Sequence, residues 1–269
     1  MQEPLPLEFE RALAATADER GVFGARLTYF AETGSTNDLA SAAAERGEPE
    51  GTTFVAGAQT AGRGRRGREW FSPPGSGLYV STIVRRASLA PWLTLAGGVA
   101  VAEGIRVATG LPVQIKWPND IVAVGGAGFR ARRKIAGILA EAASGPEGAL
   151  HVILGIGINV GPASFPPELA DRAGSIETEL GRAADAGAVL ARVLAGLNRV
   201  LADVEHAGPP PLFTRWLELA PSAYGERIEW DDARGVRTGV SAGLAEDGAL
   251  LARTSDGLAR IIAGEVRWV

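Results

Sequence analysis

The sequence predicts an α+β fold, with a mixed, largely antiparallel sheet packed with helices and a small β-barrel at the C-terminus. Three observations carry this prediction. Between residues 112 and 160, strand-like segments succeed one another around short turns, as antiparallel neighbours do. The stretch "LAPWLTLAGGVAVAEGIRVATG", Leu89 to Gly110, is a long, mostly apolar helix of the kind that lies buried against a sheet. After Pro221 the chain breaks into five short strands, "ERIEWDD", "VRTGVSAGLA", "GALLART", "LARIIAG" and "EVRWV". Tight turns separate them, including Glu246-Asp247-Gly248 and Ser255-Asp256-Gly257, which is the pattern of a small barrel. The boundary falls near residue 221, giving units 1–221 and 222–269.

Taken in order, Leu7 to Glu19 reads as a helix and "RLTYFAE" as a strand. "STNDLASAAAERG" opens a helix, because Ser35, Thr36 and Asn37 are cap-type residues, the body is Ala-rich and Gly47 stops it. "TTFVAGA" is a strand that leads into a loop, and "GLYVSTIVR" is a strand with period-two character. "PVQIKW" is a strand ending at Pro118. "DIVAVGGAGFRARRKIAGILAEAA" reads as two strands around a Gly-rich turn, and "ALHVILGIGINV" as a long apolar strand. An irregular stretch runs from Gly161 to about Pro167, and helices are predicted over Ala184–Val204 and Pro211–Leu219.

Composition bounds the function. The 269 residues carry a net charge of −4, so a generic nucleic-acid binder is disfavoured. Cysteine is absent, which excludes disulfides and thiol catalysis. The N-terminus is acidic and lacks the apolar core of a signal peptide, and no apolar run is expected to span a bilayer. A cytoplasmic protein that does not engage membranes is the expectation. Of 27 basic residues, only Lys116 and Lys134 are lysines. A chain this biased toward arginine keeps a compact ammonium where a planar fork does not fit. Asparagine (Asn37, Asn119, Asn159, Asn198) and glutamine (Gln2, Gln59, Gln114) are scarce too.

The stretch "AGRGRRGREW", Ala61 to Trp70, packs four arginines into six residues between glycines. It contains a formal G-x-G-x-x-G, but no helix follows Gly67: the next residues are "REWFSPPGSG". The dinucleotide reading therefore fails on context. A phosphate-binding P-loop fails as well, since no G-K-[ST] occurs. What remains is an anion-binding loop in which glycines let backbone N–H groups approach and arginines add forked, charge-assisted hydrogen bonds.

Four further segments set polar residues beside apolar strands: "GSTND" (Gly34–Asp38), "KWPND" (Lys116–Asp120), "RKIAGILAE" (Arg133–Glu141) and "GIGINV" (Gly155–Val160). Each alone has a simpler reading, respectively a helix cap, a turn, an edge lysine and a close-packed strand. Their order is what is specific. The set "STN", "Q-x-x-GRGRRGRxW", "KWPND", "KIAGILAE", "GIGINV" closely resembles the biotin–protein ligases over about Thr33 to Val160, and the small C-terminal β unit fits that family too.

The resemblance implies a class II synthetase-like catalytic domain, of the biotin–lipoate ligase kind, followed by an SH3-like barrel. It implies ATP and biotin as substrates with Mg²⁺, activation of biotin as biotinyl-5′-AMP, and transfer to a lysine of a biotin carboxyl carrier protein. Ser35, Thr36, Asn37 and Gln59 are then expected at the ureido end of biotin. Arg63, Gly64, Arg65 and Lys134 are expected at its carboxylate, with Lys134 and Arg65 catalytic. Arg65, Arg68, Asn119, Asp120, Lys134 and Asn159 are expected at the nucleotide, and no dedicated metal ligand is implied. A disordered arginine loop that closes over the adenylate is also expected. The alternatives are a lipoate or octanoate ligase of the same fold and a non-catalytic sensor of biotin or its adenylate.

Two departures stand out. The chain between Asp120 and Lys134 is longer than usual for the family, forming an extended turn over about 122–132. Some members carry an N-terminal winged-helix DNA-binding domain, whereas here only some 27 residues precede the first strand, so no DNA partner is expected. A homodimer is plausible from exposed sheet edges.

Overall fold

The computed structural model describes residues 2–124, 132–144, 150–232 and 235–269. A seven-stranded sheet in the order β1-β2-β3-β7-β6-β5-β4 forms its centre. The strands are β1 (Leu27–Phe30), β2 (Thr53–Ala56), β3 (Gly77–Val84), β4 (Val113–Lys116), β5 (Asp120–Ala123), β6 (Arg133–Ser144) and β7 (Leu150–Asn159). Only β1 and β2 pair in parallel; every other neighbour is antiparallel. The mixed, largely antiparallel sheet of the sequence prediction is therefore present. The extended turn expected over about 122–132 falls largely on residues 125–131, outside the described residues.

Alternation along β7 assigns the two faces. Val152, Leu154, Ile156 and Ile158 join the main core, whereas Ile153 packs with Ala40, Ala43 and Ala44 of the helix α3 (Thr36–Glu45). The main-core face is covered by α4 (Leu93–Thr109), which lies between the sheet and α7 (Ala186–Ala207). By length and composition alone, Ala87–Thr109 could cross a membrane, contrary to the sequence expectation; its hydropathy serves burial in the protein, where 67% of that window lies inside. Helix α8 (Pro210–Leu219) closes the layer with the fully buried Trp216.

Three elements differ from the sequence reading. The N-terminal helix breaks at Thr16 into α1 (Leu7–Ala15) and α2 (Ala17–Arg20). Thr16 Oγ1 bonds back to the Ala12 carbonyl at 3.0 Å and accepts from Arg20 Nε at 3.1 Å, which competes with helix continuation. Beyond Pro166 two short helices were not foreseen, α5 (Pro167–Ala170) and α6 (Ile176–Leu180). Ser175 caps α6 by accepting from Thr178 N. Between these helices Ala173 makes a parallel bridge to Lys134.

The C-terminal unit holds β8 (Tyr224–Asp232), β9 (Gly235–Leu244), β10 (Leu250–Thr254), β11 (Gly257–Ile261) and β12 (Val266–Trp268). They form one antiparallel five-stranded sheet in the order β11-β10-β9-β8-β12, with bulges in β8 and between Leu250 and Ala252. It touches the central layer through specific contacts. Trp117 Nε1 donates to the Gly248 carbonyl at 3.0 Å. Trp268 holds two cations over its ring, Lys116 at 4.7 Å and Arg132 at 4.2 Å.

Helices α4 and α7 approach closely at Gly104, where a Cβ would lie 2.7 Å from Val193 Cγ2 and 2.9 Å from the Val193 backbone nitrogen. Gly104→Ala gains about 1 kcal/mol in helix propensity but overpacks against backbone, a penalty of roughly 1–3 kcal/mol. The second effect wins because backbone cannot rotate away. Urea unfolding should show a lower midpoint for Gly104→Ala; an unchanged or raised midpoint refutes the close-approach argument.

Candidate active site

A cleft opens on the α3 side of the sheet, with about 450 Å³ of atom-free space including its open mouth. Its floor is a strip of β6 and β7 where glycine replaces larger residues. Gly137 and Gly157 are paired across the two strands. A Cβ on Gly157 would lie 2.6 Å from Cε2 and Nε1 of Trp70, and one on Gly137 would lie 2.8 Å from the same indole. Two residues along β7, a Cβ on Gly155 would collide with Asn37 Oδ1. The alternating glycines of "GIGINV" thus let Trp70 and Asn37 lie directly on the backbone.

One end of the cleft is polar and uncharged. Ser35 occupies the N-cap position of α3 with extended backbone and is buried, but makes no capping bond, and among the described residues its Oγ has no hydrogen-bond partner. Thr36 donates to Gln59 Oε1 twice, from its backbone N at 2.8 Å and from Oγ1 at 3.0 Å. Gln59 is braced in turn by Nε2 donating to Ser72 Oγ at 3.2 Å. Asn37 donates to Glu141 Oε2 at 2.8 Å and accepts from Ser81 Oγ at 2.5 Å. The start of α3 adds backbone N–H groups and the positive end of its dipole.

The other end is cationic. Lys134 Nζ pairs with Asp120 Oδ1 at 2.7 Å and sits 4.9 Å from the centre of the Trp70 ring. Its backbone is fixed on both sides: Lys134 N donates to the Arg172 carbonyl at 2.7 Å, and Gly174 N donates to the Lys134 carbonyl at 3.0 Å. Arg65 Nη1 donates to Asn119 Oδ1 at 3.0 Å, and Asn119 Nδ2 donates to the Ile138 carbonyl at 2.9 Å. Burial, and then the charge of Arg66, hold the Arg65 guanidinium below its ordinary value, with Asp120 pulling the other way. It stays a cation at neutral pH.

The arginine loop that bears Arg65 is a tight hairpin. Arg63 and Glu69 form an antiparallel bridge, Gly64 N donates to the Arg68 carbonyl at 2.8 Å, and Trp70 N donates to the Gly62 carbonyl at 2.9 Å. Its tip is a single 3-10 turn, Arg65–Gly67, with Arg66 and Gly67 in the left-handed region at φ 60° and 72°. Side chains anchor it at three places. Arg63 reaches Asp38 Oδ1 at 2.6 Å and Glu141 Oε1 at 3.1 Å; Arg65 reaches Asn119; Arg68 reaches Glu265 Oε2 at 2.8 Å. Sequence reading expected disorder here, because glycine and arginine composition does not show these partners, which are distant along the chain.

Of the three cations that line the cleft, Arg63 and Lys134 are matched by carboxylates, whereas the partner of Arg65 is a neutral amide. Among the described residues, Arg65 is therefore the lining cation with no carboxylate in ion-pair contact, though Asp120 acts on it from farther off, and it is the one best placed to offer charge to an anion. Lys116 is set apart: burial lowers its pKa against the pull of Asp120 and Glu265.

The structure brings Ser35, Thr36, Asn37, Gln59, Arg63, Gly64, Arg65, Asn119 and Lys134 to this one cleft. Asp120 stands behind Lys134 as its ion-pair partner. Arg68 points instead to Glu265 of the C-terminal unit. Asn159 lies outside the lining, with Nδ2 donating to the Gly174 carbonyl at 2.9 Å, so it braces the bridge beside Lys134. Sequence reading gave no role to Ser81 or Glu141. Glu141 had a signal, a carboxylate closing the motif "RKIAGILAE"; Ser81 had none.

Residues 29–159 match the model of the biotin/lipoate A/B protein ligase family, which fixes the class. Residues 225–267 match the biotin protein ligase C terminal domain. The bifunctional ligase/repressor BirA of Bacillus subtilis is 35% identical over 250 residues, covering 91% of this chain and 74% of that protein. The biotin–[acetyl-CoA-carboxylase] ligase of Mycobacterium tuberculosis is 36% identical over 213 residues, covering 76% and 74%. A biotin protein ligase from Aquifex aeolicus, solved in complex with biotin and ATP, superposes with a TM-score of 0.75 at 30% identity, over 91% of this chain and 99% of that one. The chain belongs to the biotin protein ligase family and is a ligase.

Gly157→Ala should push Trp70 off its seat, since the paired strand backbone cannot yield. Ligase activity is expected to fall about tenfold or more, a misplacement effect, with far-UV circular dichroism unchanged. Wild-type activity would mean that the seat of Trp70 does not matter.

Proposed function

We propose that the protein activates biotin with ATP as biotinyl-5′-AMP and transfers the biotinyl group to a lysine of a biotin carboxyl carrier protein or domain. The observation that carries this reading is the two-ended cleft. A neutral hydrogen-bonding end, built from Ser35, Thr36, Asn37 and Gln59, suits a cyclic urea, which both donates and accepts. Leu139, opposite Gly155 on the cleft face, and the ring of Trp70 supply apolar lining suited to an aliphatic chain. Arg65 and Lys134 suit a carboxylate and then a phosphate.

In the first step a carboxylate oxygen attacks the α-phosphorus of ATP, the bond to the β-phosphate oxygen breaks, and pyrophosphate leaves. The difficulty is that two anions must meet. Like charges about 4 Å apart repel by roughly 4 kcal/mol at an effective dielectric of about 20. Arg65 and Lys134 offset that repulsion and stabilise charge in the transition state. Asn119 orients Arg65, and Asp120 orients Lys134. Trp70, flat on the glycine floor, offers an aromatic face beside Lys134.

Mg²⁺ typically binds through substrate phosphates and one or two carboxylates, and Asp120 beside Lys134 is a carboxylate that fits such a shared role. When bound it neutralises phosphate charge. In the second step the amine of the acceptor lysine attacks the acyl carbon, releasing AMP and forming an amide. The arginine hairpin, anchored on α3, β6 and the C-terminal unit, is the element suited to keep water from the mixed anhydride. On this reading residues 1–221 are the catalytic domain and 222–269 a small domain that helps to anchor the loop.

Incubation with ATP, Mg²⁺ and equimolar biotin, lipoate and octanoate, read by mass spectrometry, tests the reading. Biotinyl-adenylate as the sole acyl-adenylate is expected. A lipoyl or octanoyl adenylate overturns the substrate, and bound biotin with no adenylate overturns catalysis.

A further inference from the structure

We propose that Glu141 is a positioning residue that ties the polar end of the cleft to the arginine loop. The inference rests on the biotin reading above. Glu141 lies on β6, and its two carboxylate oxygens serve two other elements. Oε2 accepts from Asn37 Nδ2 of α3 at 2.8 Å, and Oε1 accepts from Arg63 Nη2 of the loop at 3.1 Å. A glutamine in its place cannot serve both, because it has one oxygen and one NH₂. If it accepts from Asn37, its NH₂ faces the guanidinium. If it accepts from Arg63, its NH₂ faces the NH₂ of Asn37.

The charge of Glu141 therefore fixes which way Asn37 points. An ionised carboxylate only accepts, so Asn37 presents Nδ2 to it and turns Oδ1 toward Ser81 Oγ, 2.5 Å away. Ser81 Oγ also lies 2.8 Å from Thr36 Oγ1, and Thr36 Oγ1 donates to Gln59 Oε1 at 3.0 Å. One carboxylate thus sets the sense of the hydrogen bonds from Arg63 through Asn37 to Ser81, whose single proton is committed to Asn37 and leaves its oxygen facing Thr36. Asn37 has no room to adjust by moving, since the backbone of Gly155 lies directly beneath it. Asp38 also holds Arg63, at 2.6 Å, but among the described residues it makes no bond to Asn37. Loop anchoring and pocket polarity can therefore be separated by mutation.

The test measures two quantities on the full chain of wild type, Asp38→Asn and Glu141→Gln. One is biotin affinity by calorimetry. The other is the rate of tryptic cleavage within Arg63–Arg68 without ligand, which reports opening of the loop. Asp38→Asn should be cleaved about threefold faster and bind biotin as wild type does. Glu141→Gln should be cleaved faster and also bind biotin about tenfold more weakly. Wild-type affinity or a wild-type cleavage rate in Glu141→Gln overturns the proposal. A wild-type protein that fails to bind biotin removes the functional reading, while the cleavage rates still decide the tie between Glu141 and Arg63. If thermal melts show that Glu141→Gln does not fold, Ser81→Ala breaks the hydrogen bonds beyond Asn37. It should bind biotin about fivefold more weakly with loop cleavage unchanged, and unchanged affinity overturns the proposal.

Discussion

The cleft depends on how its positive charge is compensated. A ligand-free protein that gathered Arg63, Arg65 and Lys134 at one place without answering groups would repel itself by several kcal/mol. Each is answered from a different element: Arg63 by Asp38 of α3 and Glu141 of β6, Lys134 by Asp120 of β5, Arg65 by Asn119. These contacts also fasten the loop. Most are partly exposed, so their individual contributions to stability are small. Their value lies in geometry, because several weak anchors on separate elements leave the hairpin little freedom. The neutral partner of Arg65 is the exception that gives the cleft a directed charge.

The second constraint is the absence of side chains on the floor. β6 and β7 are central strands, and their opposite face is packed with isoleucine, leucine and valine against α4. On the cleft side, Gly137, Gly155 and Gly157 leave bare backbone on which Trp70 and Asn37 rest. Stiffness behind and flatness in front come from the same alternation. The long helix α4 supplies the stiffness, which explains a sequence apolar enough to pass for a membrane span.

Much of this was legible in the sequence. The strands of both sheets, α3 with its cap residues and the long α4 followed from periodicity and punctuation. Lysine and asparagine scarcity pointed to Lys134, Asn37 and Asn119, which the fold brings to one cleft. What was not legible depended on contacts far apart in sequence. Glu141 meets Asn37 across 104 positions, and Arg68 meets Glu265 across 197. The break at Thr16 was missed because it turns on a side chain bonding backward to Ala12. Helices α5 and α6 were missed because each is about one turn, too short to show a period.

On the proposed function, the cleft reads a carboxylate at Arg65 and a neutral polar group at the start of α3. The most direct measurement compares the affinities of biotin and of its uncharged carboxamide for wild type and for Arg65→Met. Wild type should prefer the carboxylate by about tenfold or more, as a charge-assisted hydrogen bond should give. In Arg65→Met most of that preference should vanish, while the carboxamide binds nearly as before. An undiminished preference in the variant, or none in wild type, would show that Arg65 is not what reads the carboxylate.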